Sequence, residues 1–364
     1  MSIWKHANPH LEDLVAYEPG KPIEDVAREL GLDPDAIVKL ASNENPLGPS
    51  PKAVAAMKEA CETAEIYPDG GAWKLRTAIA EKFDLERENV VIGSGSNEII
   101  ELIGHGFLRE GDEIVVADHA FVVYKLMARV FGATTIEVPD PGYAHDLDAM
   151  AAACTEKTKE LFIANPNNPT GTLVSQDEID RFMDRVPEHV MVCFDEAYYE
   201  FLDTPPDTLK YVREGRNVVV LRTFSKIQGL AALRVGYGLT TPEIAGVLQK
   251  ARQPFNVNAV AQAGALAGLL DQEHQDRTKA ITDEGRDYLE STFRELGLEY
   301  VPSYANFVLV KVGDGDRMFT DMQKEGMIIR AMRGYKLPEW IRVTVGTMTQ
   351  NERFVELLKK LLSS

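Results

Sequence analysis

Seven short apolar runs, separated by longer stretches of helical rhythm, constrain this chain more than any other feature. They are NVVIGSG (89–95), DEIVVADH (112–119), TTIEVP (134–139), ELFIAN (160–165), VMVCFDEA (190–197), NVVVLRTF (217–224) and RVGYGL (234–239). Most lack the in–out alternation of a strand with one wet face, so they read as strands buried on both sides of a mainly parallel sheet. The segments between them, such as SNEIIELIGHGFL and SQDEIDRFMDRV, space their apolar residues as a helix does, with Ser at the N-cap position. Alternation of this kind predicts a doubly wound α/β layout. After about residue 245 the texture changes. A long helical region over 259–297, with room for an interruption, leads to ANFVLVKV, GMIIR and EWIRVTVGT and then a helical tail. We therefore expect a large domain over 46–258 and a smaller α+β domain built from 1–45 and 259–364.

Composition narrows the function classes. The net charge is −18 and the pI about 4.9, so the overall field repels nucleic acid and anionic membranes. An anionic substrate must then be drawn in by a local basic pocket. The three cysteines, Cys61, Cys154 and Cys193, form no CxxC pair, which fits a reducing compartment and argues against a disulfide framework or structural zinc. No HExxH occurs, and no metal is expected. The opening MSIWKHANPHLEDL lacks the basic-then-apolar order of a signal peptide, and no apolar run reaches membrane-span length. The expectation is a cytoplasmic protein.

Ligands of open α/β sheets bind beyond the carboxyl ends of the strands, so the residues following each run matter most. After 89–92 comes GSGSNEII, glycines and serines opening a helix whose free N–H groups suit a phosphate. The third glycine of a nicotinamide fingerprint is missing, because that position is Glu98, and no GxxxxGK[ST] loop exists. After 160–164 comes NPNNPTG, in which Asn168 stands before Pro169; after 190–194 comes DEAYYEF, with Asp195 and Tyr198. After 217–221 comes RTFSKIQGLAALRVGYG, with Lys226 among small and apolar residues and Arg234 behind it. Each alone has a plain structural reading as a turn, a cap or a core ring. Together they set an acid, an amide, a phenol, a lysine and a phosphate loop at successive strand ends of one sheet.

That set is what pyridoxal phosphate requires. The cofactor needs a lysine to bond its aldehyde and a carboxylate against its pyridine nitrogen. A phenol and an amide suit its ring oxygen. GSGSN, Thr223, Ser225 and Arg234 offer backbone donors, hydroxyls and a cation to its phosphate. Lys226 is read as the lysine of the Schiff base and Arg234 as the phosphate clamp.

The motifs LASNENPLGPSP, YPDGGAWKLR, GSGSNEIIEL, NPNNPTG, DEAYYEF, RTFSKIQGLAALRVGYG and IRVTVGT, in this order, resemble the histidinol-phosphate aminotransferase family of fold-type I pyridoxal-phosphate enzymes. The resemblance covers nearly the whole chain and implies a mainly parallel seven-stranded sheet domain plus a smaller α+β domain. It implies that Asp195 pairs with the pyridinium, that Tyr198 and Asn168 meet the ring oxygen, and that Ser96, Asn97, Thr223, Ser225 and Arg234 form the phosphate cup. Tyr67 matches a tyrosine sent across a dimer interface to the neighbour's cofactor phosphate, so a homodimer is implied. The ring-stacking position reads DHAFVVY, which assigns Phe121 to the stack and leaves Tyr124 to line the substrate pocket. The lysine loop carries Ile-Gln before Gly229 where relatives often have Ala-Tyr.

For the substrate, Arg342 in WIRVTVG matches the carboxylate-gripping arginine, a role its planar fork suits. Arg330 in GMIIR matches the reader of a distal phosphate, with Arg333 as its rival, and Tyr17 resembles an N-terminal tyrosine closing over the same phosphate. The implied reaction is a two-stage transamination between histidinol phosphate and 2-oxoglutarate, or glutamate in reverse, in histidine biosynthesis. Lys226 would serve as the proton carrier, which requires a lowered pKa. Rival readings are an aromatic amino-acid aminotransferase and a pyridoxal-phosphate-dependent decarboxylase of a phosphorylated amino acid. A cofactor-binding regulator and a nicotinamide oxidoreductase are disfavoured, the first for lack of room for a DNA-binding domain.

Overall fold

The computed structural model describes residues 2–12, 14–15 and 20–363. All seven apolar runs become strands of one sheet. Edge to edge these are Val90–Gly93, Gly236–Thr240, Val218–Thr223, Met191–Asp195, Thr158–Ala164, Glu113–Ala117 and Thr134–Val138. Only Gly236–Thr240 runs against its neighbours. The central strands are buried at every position, as their unbroken apolar runs require. Reversal of Gly236–Thr240 has a consequence for the site. Its first residue, Gly236, pairs with Thr223 on one side and Gly93 on the other, so the residues just before it lie at the carboxyl ends of the parallel strands.

Helices cover both faces. Ser175 caps the helix Gln176–Met183 in a reciprocal box with Glu178, as its spacing predicts. The helix Ser96–Phe107 differs: Ser96 is its first residue and Gly95, with φ 77°, is the N-cap. Two close approaches require glycine here. A Cβ on Gly95 would lie 2.7 Å from the Arg234 guanidinium, and one on Gly236 would lie 2.5 Å from the backbone nitrogen of Ser96.

The smaller lobe has a four-stranded antiparallel sheet in the order Arg330–Ala331, Trp340–Thr344, Phe307–Lys311, Tyr300–Val301. Beside it Val38–Lys39 pairs in parallel with Met327–Ile328. Its core gathers Leu40, Leu289, Phe293, Ile341, Val343 and Phe354, among others. The long helical region is interrupted at Asp271, giving helices Ala259–Leu270 and Gln272–Glu295. The first of these was expected with the smaller domain, yet its Ala261, Ala265 and Leu269 pack into the core of the large sheet. Alanines and glycines every third or fourth residue let it lie close on the helix Pro51–Ala60; Gly264 faces Met57 directly. No helix among the described residues is long and apolar enough to cross a membrane.

Candidate active site

One cavity opens at the carboxyl edge of the large sheet, facing the smaller lobe. Its floor is Asp195, the last residue of Met191–Asp195, beside Ala164 and Ala197. Asp195 is buried, and burial pushes its carboxyl up to about 6, against hydrogen bonds from Tyr124 and the Ala197 N–H. The Tyr124 hydroxyl donates to Oδ2 at 2.7 Å. Tyr124 was expected only to line the substrate pocket. It does border the cavity, but its hydroxyl is spent on Asp195 and its ring stacks on Phe162 at 4.5 Å. Phe121 borders the same cavity, edge-on to Tyr124.

Lys226 enters from the turn after Val218–Thr223. Its Nζ donates to the carbonyls of Ser42 and Asn43, each at 3.2 Å, and among the described residues the carboxylates Glu44 and Asp195 act on it only through space. Burial, with Arg342 and Arg234 nearby, brings its pKa down to about 7. A neutral amine is therefore accessible near neutrality, which covalent chemistry on an aldehyde needs. Tyr198 stands alongside, 5.6 Å from Lys226 Nζ to ring centroid, and its hydroxyl accepts from Asn43 Nδ2 at 2.9 Å. Burial raises that phenol to about 12, although Arg342 and Asn43 pull the other way.

At one end of the cavity Ser96, Asn97, Thr223, Ser225 and Arg234 converge. Gly95 has no side chain to cap the helix Ser96–Phe107, so its N-terminal amides stay open to an anion there. Arg234 reaches Ser225 Oγ at 3.4 Å and adopts a left-handed backbone, φ 50°, uncommon for a side chain of its size. A phosphate, an aldehyde and a ring nitrogen thus find a cup, an amine and a carboxylate in one cavity. This donor set fits pyridoxal phosphate.

The smaller lobe presents two arginines to the same cavity. Arg330 and Arg342 are directly paired across neighbouring antiparallel strands, and both border the cavity. Like charges facing each other this way work against sheet stability, and an anion bound beside them would offset part of that cost. Arg342 is buried; it donates to the Ala41 carbonyl at 2.9 Å and to Asn168 Oδ1. Asn168, expected on the cofactor's ring oxygen, thus also links to the arginine. Arg333 turns away, exposed and paired with Asp316, so Arg330 is the arginine of the two that reaches the cavity. Tyr67 is exposed, stacked on Phe255 at 4.8 Å, and does not border its own chain's cavity. Tyr17 lies outside the described residues.

Asn43 had no role in the sequence reading beyond its place in LASNENP. Here it joins the lobes: its N–H donates to Thr344 Oγ1, its amide to Tyr198, and its carbonyl accepts from Lys226. It too has a positive φ, 56°. Its position between Ser and Glu in a proline-rich loop was the one available signal. Glu196 and Arg222, each next to a site residue, form a buried pair at 2.8 Å that the sequence did not suggest.

The cavity, with a lysine, an acid, a phosphate cup and paired arginines at the edge of such a sheet, is the site of an aminotransferase of fold-type I. Residues 35–358 match the family described as aminotransferase class I and II, and the chain belongs to that family. Over 363 residues, covering 100% of both chains, it is 58% identical to the histidinol-phosphate aminotransferase of Akkermansia muciniphila. It is 48% identical over 351 residues to the enzyme of the same name from Moorella thermoacetica, covering 95% of this chain and 90% of that one. Among solved structures, the histidinol-phosphate aminotransferase of Sinorhizobium meliloti in complex with pyridoxal-5'-phosphate superposes with a TM-score of 0.87 at 26% identity, covering 98% of each chain.

Proposed function

We propose that this chain is a pyridoxal-phosphate-dependent transaminase that exchanges an amino group between histidinol phosphate and 2-oxoglutarate. Bound cofactor supplies an electron sink for the charge left on the substrate carbon when its proton is removed. The chain's own residues do the rest. Lys226 holds the cofactor through its neutral amine and, once released, carries the proton at the substrate carbon; its lowered pKa supports both duties. Asp195, kept in place by Tyr124, would hold a proton on the ring nitrogen by charge pairing. Tyr198 and Asn168 would hold the ring oxygen, Phe121 the ring face, and the Ser96, Asn97, Thr223, Ser225 and Arg234 cup the phosphate. Arg342 and Arg330 would orient the substrate.

The observation that carries the substrate reading is the cross-strand pair Arg330 and Arg342. An amine with a distal phosphate answers two arginines. Arg330→Met should lower kcat/KM for histidinol phosphate by about 10- to 100-fold, the worth of a charge-assisted bond. Phenylalanine turnover should change by less than about threefold. Equal losses on both amines would defeat the assignment and favour an aromatic aminotransferase.

We also propose a homodimer. The exposed Ile66, Tyr67, Trp73 and Phe255 on one side of the large lobe support it, with Tyr67 completing the partner's phosphate cup. A sedimentation mass equal to one chain, with full activity, would refute this. Three unbridged cysteines support a cytoplasmic setting. Packing of Ala259–Leu270 on the large core supports a domain division near Asp271 rather than at 258.

A further inference from the structure

The short turn Arg333–Tyr335 connects the strand of Arg330 to the strand of Arg342, and its last residue, Tyr335, borders the cavity. The turn is pinned at both ends. Arg333 pairs with Asp316 of its own lobe, and Lys336 reaches across to the large lobe. Lys336 Nζ donates to Asp118 Oδ1 at 2.9 Å and to Glu137 Oε2 at 2.7 Å. Asp118 begins the loop that leads to Phe121 on the cavity wall, so the bridge ties that loop to the turn that carries Tyr335. The backbone holds Lys336 in this pose: φ is 63°, its N–H donates to the Arg333 carbonyl, and Tyr335 and Leu337 both donate to the Met332 carbonyl. Met332 and Leu337 are themselves buried beside Trp340. Hydrogen bonds to Glu137 and Asp118 raise the Lys336 pKa to about 12, so the bridge stays charged across the working range.

We propose that Lys336 is a positioning residue for the reaction: its bridge to Asp118 and Glu137 fixes the Arg333–Tyr335 turn so that Tyr335 walls the substrate side of the cavity and supplies binding energy to the amine. The inference rests on the transaminase reading above but not on which amine is the substrate. The half-exposed setting of the bridge limits its size. Steady-state kinetics of the full holoenzyme test it, with wild type, Lys336→Met, Tyr335→Ala and the double variant assayed on the amine the wild type turns over best.

Lys336→Met should raise KM about fivefold, the factor a bridge of this exposure is worth, with kcat within about twofold and cofactor content unchanged. The double variant should be no worse than Tyr335→Ala alone, because Lys336 acts through Tyr335. Lys336→Arg should recover most of the affinity. Losses that simply multiply in the double variant, or an unchanged KM in Lys336→Met, would overturn the proposal. Should Lys336→Met fold poorly, Asp118→Asn combined with Glu137→Gln removes both arms of the bridge from the other lobe, with Lys125→Met as control for the Lys125–Glu137 pair lost with it, and a KM unmoved beyond that control would overturn it equally. If histidinol phosphate is not turned over while another amine is, the substrate reading fails and the coupling is still measured.

Discussion

Two cations lie four residues apart on the same stretch of chain, and burial treats them in opposite ways. Arg222 is fully buried in Val218–Thr223, on the face away from the cavity; Lys226 sits just beyond that strand, inside it. Burial works against the charge of both. At Arg222 it is more than offset by Glu196, which takes Nε at 2.9 Å and Nη2 at 2.8 Å, and the guanidinium ends above its ordinary pKa. The rings of Tyr199 and Phe83 also flank it, with centroids 3.6 and 4.4 Å from Cζ. Lys226 has two carbonyls for partners, and burial with Arg342 and Arg234 outweighs the pull of Glu44 and Asp195, so its charge is released near pH 7. The structural cation is given a hydrogen-bonded carboxylate; Lys226 feels its nearest carboxylates, Glu44 and Asp195, only through space.

Removing the reactive group should have the largest effect. Lys226→Met should cut turnover by about 10⁴-fold, at the upper end of what proton-transfer groups contribute, measured as product formed with saturating cofactor. Retention of a tenth of the activity would sink the contrast. Next comes the structural pair. Glu196→Gln leaves the Arg222 charge buried without its partner and should cost about 3–5 kcal/mol of unfolding free energy in urea. Replacing both, as Arg222→Met with Glu196→Leu, should restore much of that loss.

The pH behaviour sharpens the comparison further. Capture of pyridoxal phosphate by cofactor-free protein should rise with pH and level off above about 7, as the Lys226 amine becomes neutral. An ordinary lysine would keep rising to about pH 10. The sign for stability follows from the same shift. Between about 7 and 10.5 the unfolded chain binds a proton at Lys226 that the folded chain does not, so this contribution is present at high pH and lost as pH falls through 7. Asp195, raised to about 6, acts oppositely: its contribution is full below the usual carboxylate pKa and is lost as pH rises through 6. The smallest effect belongs to Tyr124→Phe, which removes one hydrogen bond to Asp195. It should weaken cofactor retention by about 1 kcal/mol, read by equilibrium dialysis.

Much of this was legible in the sequence. All seven runs proved to be strands: six are buried almost throughout, which leaves an apolar signature that needs no tertiary information, and the seventh, Thr134–Val138, is the partly exposed edge. The reactive groups were legible for a related reason. A strand of this fold ends at the ligand edge, so reading the residue after each run found Asp195, Asn168, Thr223 and Lys226 together. The break at Asp271 was anticipated as an interruption, but the side on which Ala259–Leu270 packs was not. An alanine- and glycine-rich helix can lie on either core.

What the sequence by itself determined was the strand order along the chain, the lysine, and the kind of chemistry its neighbours permit. Tertiary structure alone showed that Arg330 borders the cavity while Arg333, three residues on, pairs with Asp316, because the strand Arg330–Ala331 gives way to the turn Arg333–Tyr335 between them. It also put the Tyr124 hydroxyl on Asp195, 71 residues away, and Asn43 on Tyr198, 155 residues away. The acidity of Lys226 belongs with these. A pKa is set by what surrounds a group in space, and here the surroundings come from residues near 42, 234 and 342 that no local pattern joins.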